Sequence, residues 1–92
     1  MEWLIDSNGN AHKIISHSWQ KTKNDGNTMI AMIDTLEIKA SNDISFSKDN
    51  NITLIKDGYL YKYDVSLCDI RVELQRNKIV IEITSKFQPE RI

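Results

Sequence analysis

The sequence predicts a mainly β protein: one small antiparallel barrel or sandwich of about seven strands across residues 1–87, with residues 88–92 as a C-terminal tail. Three observations carry this expectation. Apolar and polar residues alternate with period two through the second half of the chain. Turn-forming Asn, Asp, Gly and Ser clusters punctuate the chain at strand-like spacing. Isoleucine occurs fourteen times, and a β-branched side chain suits a pleated, half-buried surface. The alternative is an α+β domain with one helix at about residues 28–40.

Residues 3–6 and 12–15 read as a first hairpin around Ser7-Asn8-Gly9-Asn10, with a type I′ turn at Asn-Gly. A helix competes over 11–23, because Ala11, Ile14, Ile15, Ser18 and Trp19 recur at helical spacing and Asn10 is a fit N-cap. The turn and the paired isoleucines favour strand. Over 28–40, Met29, Met32, Ile33, Leu36 and Ala40 mark one face of a helix, whereas Ile30, Met32, Leu36 and Ile38 mark one face of a strand that Asp34 interrupts. The flanking turns, Asn24-Asp25-Gly26-Asn27 and Ser41-Asn42-Asp43, favour strand.

Residues 44–87 read as a five-stranded meander. Ile44 and Phe46 alternate with Ser45 and Ser47, and Asp49-Asn50-Asn51 makes the turn into a strand at 52–55. Asp57-Gly58 is a strong hairpin signal before 59–67, where Tyr59, Tyr61, Tyr63, Val65 and Leu67 share one face. The stretches 70–75 and 78–87 pair across a short polar link. Lys78 and Lys86 look like protection of an edge strand, and Pro89 ends the run.

A chain of 92 residues with a net charge of -1 accommodates one domain, and excludes a multidomain enzyme and a strongly basic nucleic-acid binder. Cys68 is alone, which excludes an internal disulfide framework. No apolar stretch is long enough for a spanning helix, and the start lacks the basic and apolar regions of a signal peptide. The expected location is the cytoplasm, or a particle assembled from it. The bias towards Ile, Asn and Lys suggests AT-rich coding and hints at a phage or mobile element.

The candidate chemical motifs fail on spacing. Asp6, Asn8 and Asn10 imitate the start of a calcium loop, but its sixth and twelfth positions hold Ala11 and His17 instead of Gly and Glu. His12 and His17 are five apart, which puts them on opposite faces of a strand, so they read as two solvated side chains rather than metal ligands. Cys68 has no basic neighbour, and Asp69 raises rather than lowers its pKa, so it reads as a small apolar filler. No nucleophile elbow, phosphate loop or dinucleotide fingerprint occurs.

What remains are aromatics. Tyr59, Tyr61 and Tyr63 with Lys56 and Lys62 resemble a base-stacking strand, but Val65 and Leu67 continue their face and make it a core face with hydroxyls at the rim. Trp3 reads as core. Trp19 lies in a polar stretch with His17 and Lys21 and is placed to anchor a partner. The expected binding residues are therefore Trp19, His17, Lys21, Tyr59, Tyr61 and Tyr63. The expected function is a non-catalytic interaction or structural module in a larger assembly, with a protein partner or a homo-oligomer and with no metal, cofactor or membrane. Two alternatives stand beside it: an inhibitor or immunity protein for a partner enzyme, and a small barrel for single-stranded nucleic acid. The near-zero charge disfavours the latter.

Overall fold

A computed structural model describes residues 2–23, 30–86 and 89–92. Among these residues eight strands form one antiparallel sheet in the order β6-β7-β3-β2-β1-β4-β5-β8. They are β1 (Trp3–Ile5), β2 (Ala11–Lys23), β3 (Ile30–Lys39), β4 (Asn51–Lys56), β5 (Tyr59–Asp64), β6 (Cys68–Leu74), β7 (Lys78–Ser85) and β8 (Glu90–Arg91). The mainly β expectation holds, and both disputed segments, 11–23 and 30–39, are strand. The turn at Asn24-Asp25-Gly26-Asn27, Met29 and Phe87 lie outside the described residues.

The strand β2 organises the molecule. Its first residues pair with β1, Leu4 opposite His12, and from Ile14 onward it pairs with β3. Between Ile14 and Ser16 the register shifts, so Ile15 is a bulge, and its side chain is 61% exposed. A bulge bends a strand and increases its twist. Here it folds the sheet so that the β1-β4-β5 half packs against the β3-β7-β6 half. Leu4, Ile14, Ile52, Leu54 and Tyr63 meet Leu36, Ile38, Ile79, Ile81 and Ile83 in a single core. The order ends at β6 and β8, which do not pair with each other, so the fold is an open sandwich rather than a closed barrel.

The bulge also corrects the reading of the histidines. The extra residue inverts the parity of β2 downstream, so His12 and His17 both face inward despite their odd separation. Neither is solvated: His12 is 7% exposed and the His17 side chain 6%.

The first turn is not type I′. Gly9 has φ 84°, but Asn8 does not share a positive φ, and the loop closes with Gly9 N donating to Asp6 O and Asp6 N to Asn10 O, both at 3.0 Å. The type I′ geometry occurs instead at Asp57-Gly58, with φ of 51° and 81° at the two central residues.

Residues 44–47 form no strand. Their backbone is held by the first turn instead. Ser45 N donates to the Asp6 carboxyl at 3.2 Å, Ser47 N donates to Ser7 Oγ at 2.8 Å, and Ser7 N donates to Ser45 O at 3.0 Å. Ile44 and Phe46 still pack on the core. Nor is the second half a meander: β5 and β6 are not neighbours. Asp64 caps a 3-10 turn over Val65–Leu67, accepting from Ser66 N, and this turn carries the chain from one half of the sandwich to the other. Val65 stays in the core, while Leu67 leaves the tyrosine face and is exposed.

Lys78 does not guard an edge. Its strand β7 lies between β3 and β6, and Lys78 Nζ meets Glu37 Oε2 at 2.6 Å across the β3-β7 pair. That lysine holds the Glu37 carboxyl below its ordinary value. The C-terminal residues extend the sheet: Glu90 and Arg91 pair with β5, and Ile92 N donates to Leu60 O at 2.8 Å.

Candidate functional site

The tyrosine strand β5 is graded along its length. Tyr63 is buried, Tyr61 is half-buried and Tyr59 is 48% exposed. Tyr63 belongs to the core, Tyr61 packs against it and Tyr59 lies beyond it, where both halves of the sandwich border open space. The space between them is a cleft of about 560 Å³.

Four of the six residues expected at a binding site line this cleft: His17 and Trp19 from β2, and Tyr61 and Tyr63 from β5. The shared face follows from register, because Trp19 stands opposite Asp34, and His17 opposite Leu36, on the inward face of β3. Trp19 is 51% exposed at the mouth. Tyr59 lies just outside, with the Arg91 guanidinium 4.8 Å above its ring. Lys21 pairs through its backbone with Met32, and its side chain lies outside the described residues.

The remaining lining was not expected at a site. Met32 and Leu54 are apolar and buried; Lys56, Asp57 and Arg91 are charged; Pro89 and Arg91 come from the segment read as a tail. Asp34 is the most consequential omission. It is 3% exposed in an otherwise apolar stripe. Its Oδ2 accepts the Tyr63 hydroxyl at 2.6 Å and its Oδ1 accepts from His17 Nε2 at 2.8 Å. A buried carboxyl group is tolerated only with such partners. The interruption of the stripe at Asp34 was the signal in the sequence, since an acid among core residues demands donors from elsewhere in the fold.

The Tyr63 hydroxyl is therefore not at a rim. Burial, and then the hydrogen bond and charge of Asp34, push its pKa well above the ordinary phenol value. With both Asp34 oxygens accepting, His17 Nε2 carries the donated proton. Its Nδ1 is buried without a hydrogen-bond partner, 3.6 Å from Glu2 Oε1. Neither ring nitrogen is presented to a molecule in the cleft. The network braces the cleft wall, with His17 Nε2, the Asp34 oxygens and the Tyr63 hydroxyl engaged with one another.

A second buried acid lies apart from the cleft, in the first turn. Asp6 Oδ1 accepts from Asn8 N at 2.9 Å and Asn10 N at 3.0 Å, and its Oδ2 from His12 Nε2 at 2.9 Å and Ser45 N. Burial works to raise its pKa, but the bonds from His12, Asn10, Asn8 and Ser45 together outweigh this and hold the carboxyl below its ordinary value. The Asp6-Asn8-Asn10 pattern thus closes a loop through backbone amides.

The Cys68 thiol donates to Asp64 O at 3.3 Å. Burial pushes its pKa up, Ser85 opposes this, and the charges of Asp64, Asp69 and Asp34 add to the rise. Among the described residues, no group of three or more His, Cys, Asp or Glu is placed to hold a metal ion. No described helix is long and apolar enough to cross a membrane. No protein-family model, curated protein or solved structure matches this chain.

Proposed function

We propose that the domain is a non-catalytic protein-interaction module, a component of a larger assembly, whose cleft receives an apolar segment of a partner protein. The observation that carries this reading is Trp19, half exposed at the mouth of a cleft lined by Met32, Leu54 and Tyr61. Tryptophan in such a setting is the residue type most enriched at binding hot spots. It stands on a stretch of β2 that pairs with β3 without interruption from Ser16 to Lys23, so little backbone ordering is required on binding.

Charge supports shape as the basis of recognition. A net charge of -1 provides no long-range steering. The cleft carries Lys56 and Arg91 beside Asp57, a mixed rim that suits a polar segment flanking an apolar anchor. The inward turn of Tyr63 weighs against a base-stacking surface, because a row of three open rings is not presented.

The test is selection of displayed random peptides on the immobilised protein, with the Trp19→Ser variant as counter-target. Peptides with an apolar anchor should be enriched on the native protein and lost on the variant, while circular dichroism shows both folded. Equal enrichment on the two proteins, or none on either, would overturn the proposal.

A further inference from the structure

The strand order ends at β6, which pairs with β7 on one side and has no strand on the other among the described residues. Proteins blunt such edges with charged residues, lysine above all, with proline or with a bulge. The strand Cys68-Asp69-Ile70-Arg71-Val72-Glu73-Leu74 has no lysine, proline or bulge, its charges are of both signs, and its register against β7 is unbroken over seven residues. Ile70, Val72 and Leu74 stand opposite Ile83, Ile81 and Ile79, which belong to the core. The apolar face of the core thus runs out to the edge, where Val72 is 42% and Leu74 75% exposed.

We propose that β6 pairs antiparallel with β6 of a second copy of this chain, about a two-fold axis at Val72. This deepens the assembly reading on a surface separate from the cleft. The argument is self-complementarity. With Val72 opposite itself, Ile70 faces Leu74 of the partner subunit and Arg71 faces Glu73 of the partner subunit, and symmetry repeats both pairs. Other registers fare worse. A one-residue slip sets charged residues against apolar ones. Centring on Arg71 or on Glu73 places that charge against itself. Centring on Ile70 keeps an Asp69–Arg71 pair, but it strands Leu74 beyond the paired stretch and runs Glu73 against Leu67 in the 3-10 turn.

Sedimentation equilibrium over a wide concentration range tests this. The native chain should dimerise. Glu73→Arg should weaken the dimer about tenfold or more, since two cross-strand pairs turn from attractive to repulsive. Glu73 is the cleaner site, because within the chain it faces Val80, whereas Arg71 already faces Glu82. Combining Arg71→Glu with Glu73→Arg in one chain should restore the dimer. An equal mixture of the two single variants should form heterodimers, which also shows that each variant is folded. A native chain that stays monomeric would overturn the proposal, as would a dimer indifferent to Glu73→Arg or a loss that neither combination restores. Trp19→Ser should leave the dimer intact, so failure of the cleft reading and failure of this one are separately visible.

Discussion

Replacing Asp6 by asparagine changes one atom and tests the account of the first turn. Asparagine keeps an oxygen where Oδ1 accepts from Asn8 N and Asn10 N. It places an amide nitrogen where Oδ2 accepts from His12 Nε2 and Ser45 N, so donor meets donor at one buried and one part-buried contact. A hydrogen bond to a charged acceptor contributes about 1.5–3 kcal/mol, and the Ser45 contact, at 3.2 Å, belongs at the low end. A switch of the His12 tautomer recovers part of one bond. The net expectation is a loss of about 3 kcal/mol, a large share of the roughly 5–14 kcal/mol expected for a domain of this size. The melting midpoint should fall by about 12–24 °C. Urea unfolding at neutral pH measures the loss directly, with an unchanged slope if only the folded state is affected. Acid supplies the second arm. Asp6 is held below the ordinary 3.8, so its contribution is full above that value and is lost as pH falls through the lower, folded value. The gap between native and Asp6→Asn proteins should therefore narrow only below about pH 4. A neutral-pH difference under about 1 kcal/mol, or a gap that ignores acid, would refute the reasoning.

Three further outcomes follow from other parts of the structure. Tyr63→Phe removes a buried donor to Asp34 and should cost about 1–3 kcal/mol in urea unfolding. Because the folded phenol is raised above 10.0, native stability is full below that value and declines as pH rises past it, and Tyr63→Phe should lessen this alkaline loss. Gly58→Ala should cost about 1–2 kcal/mol, read from the thermal midpoint, from its φ of 81° alone, since an added Cβ meets nothing within 4 Å. Cys68 should react with a disulfide reagent more slowly in the folded protein than in urea, because burial raises its thiol pKa.

The strands that were legible are those whose evidence is local. The pairs β4-β5 and β6-β7 join consecutive strands through short links, so alternation and turn chemistry suffice to place them. Where the outcome depends on distant chain, the local signal misleads. Ile44 and Phe46 alternate as a strand would, but Asp6 and Ser7 capture the intervening backbone amides. Lys78 resembles an edge residue only until β3 inserts between β2 and β7. The proline at 89 ends one run without preventing Glu90 and Arg91 from joining β5. In each case the deciding partner lies far away in the chain, where periodicity carries no information.

The site was half legible for the same reason. Trp19 and His17 stood out by composition, and Tyr61 and Tyr63 by alternation, but the cleft that joins them exists only because of the bulge at Ile15. Without that extra residue β2 would turn His17 and Trp19 to the outer face, and Asp34 would be buried without His17. Asp34 draws its two donors from different halves of the sandwich, His17 on β2 and Tyr63 on β5. A buried acid with one donor in each half fixes their separation as apolar contacts alone do not, because the hydrogen bonds are directional. The halves are locked together at Asp34. The cleft opens there, with Trp19 at its mouth.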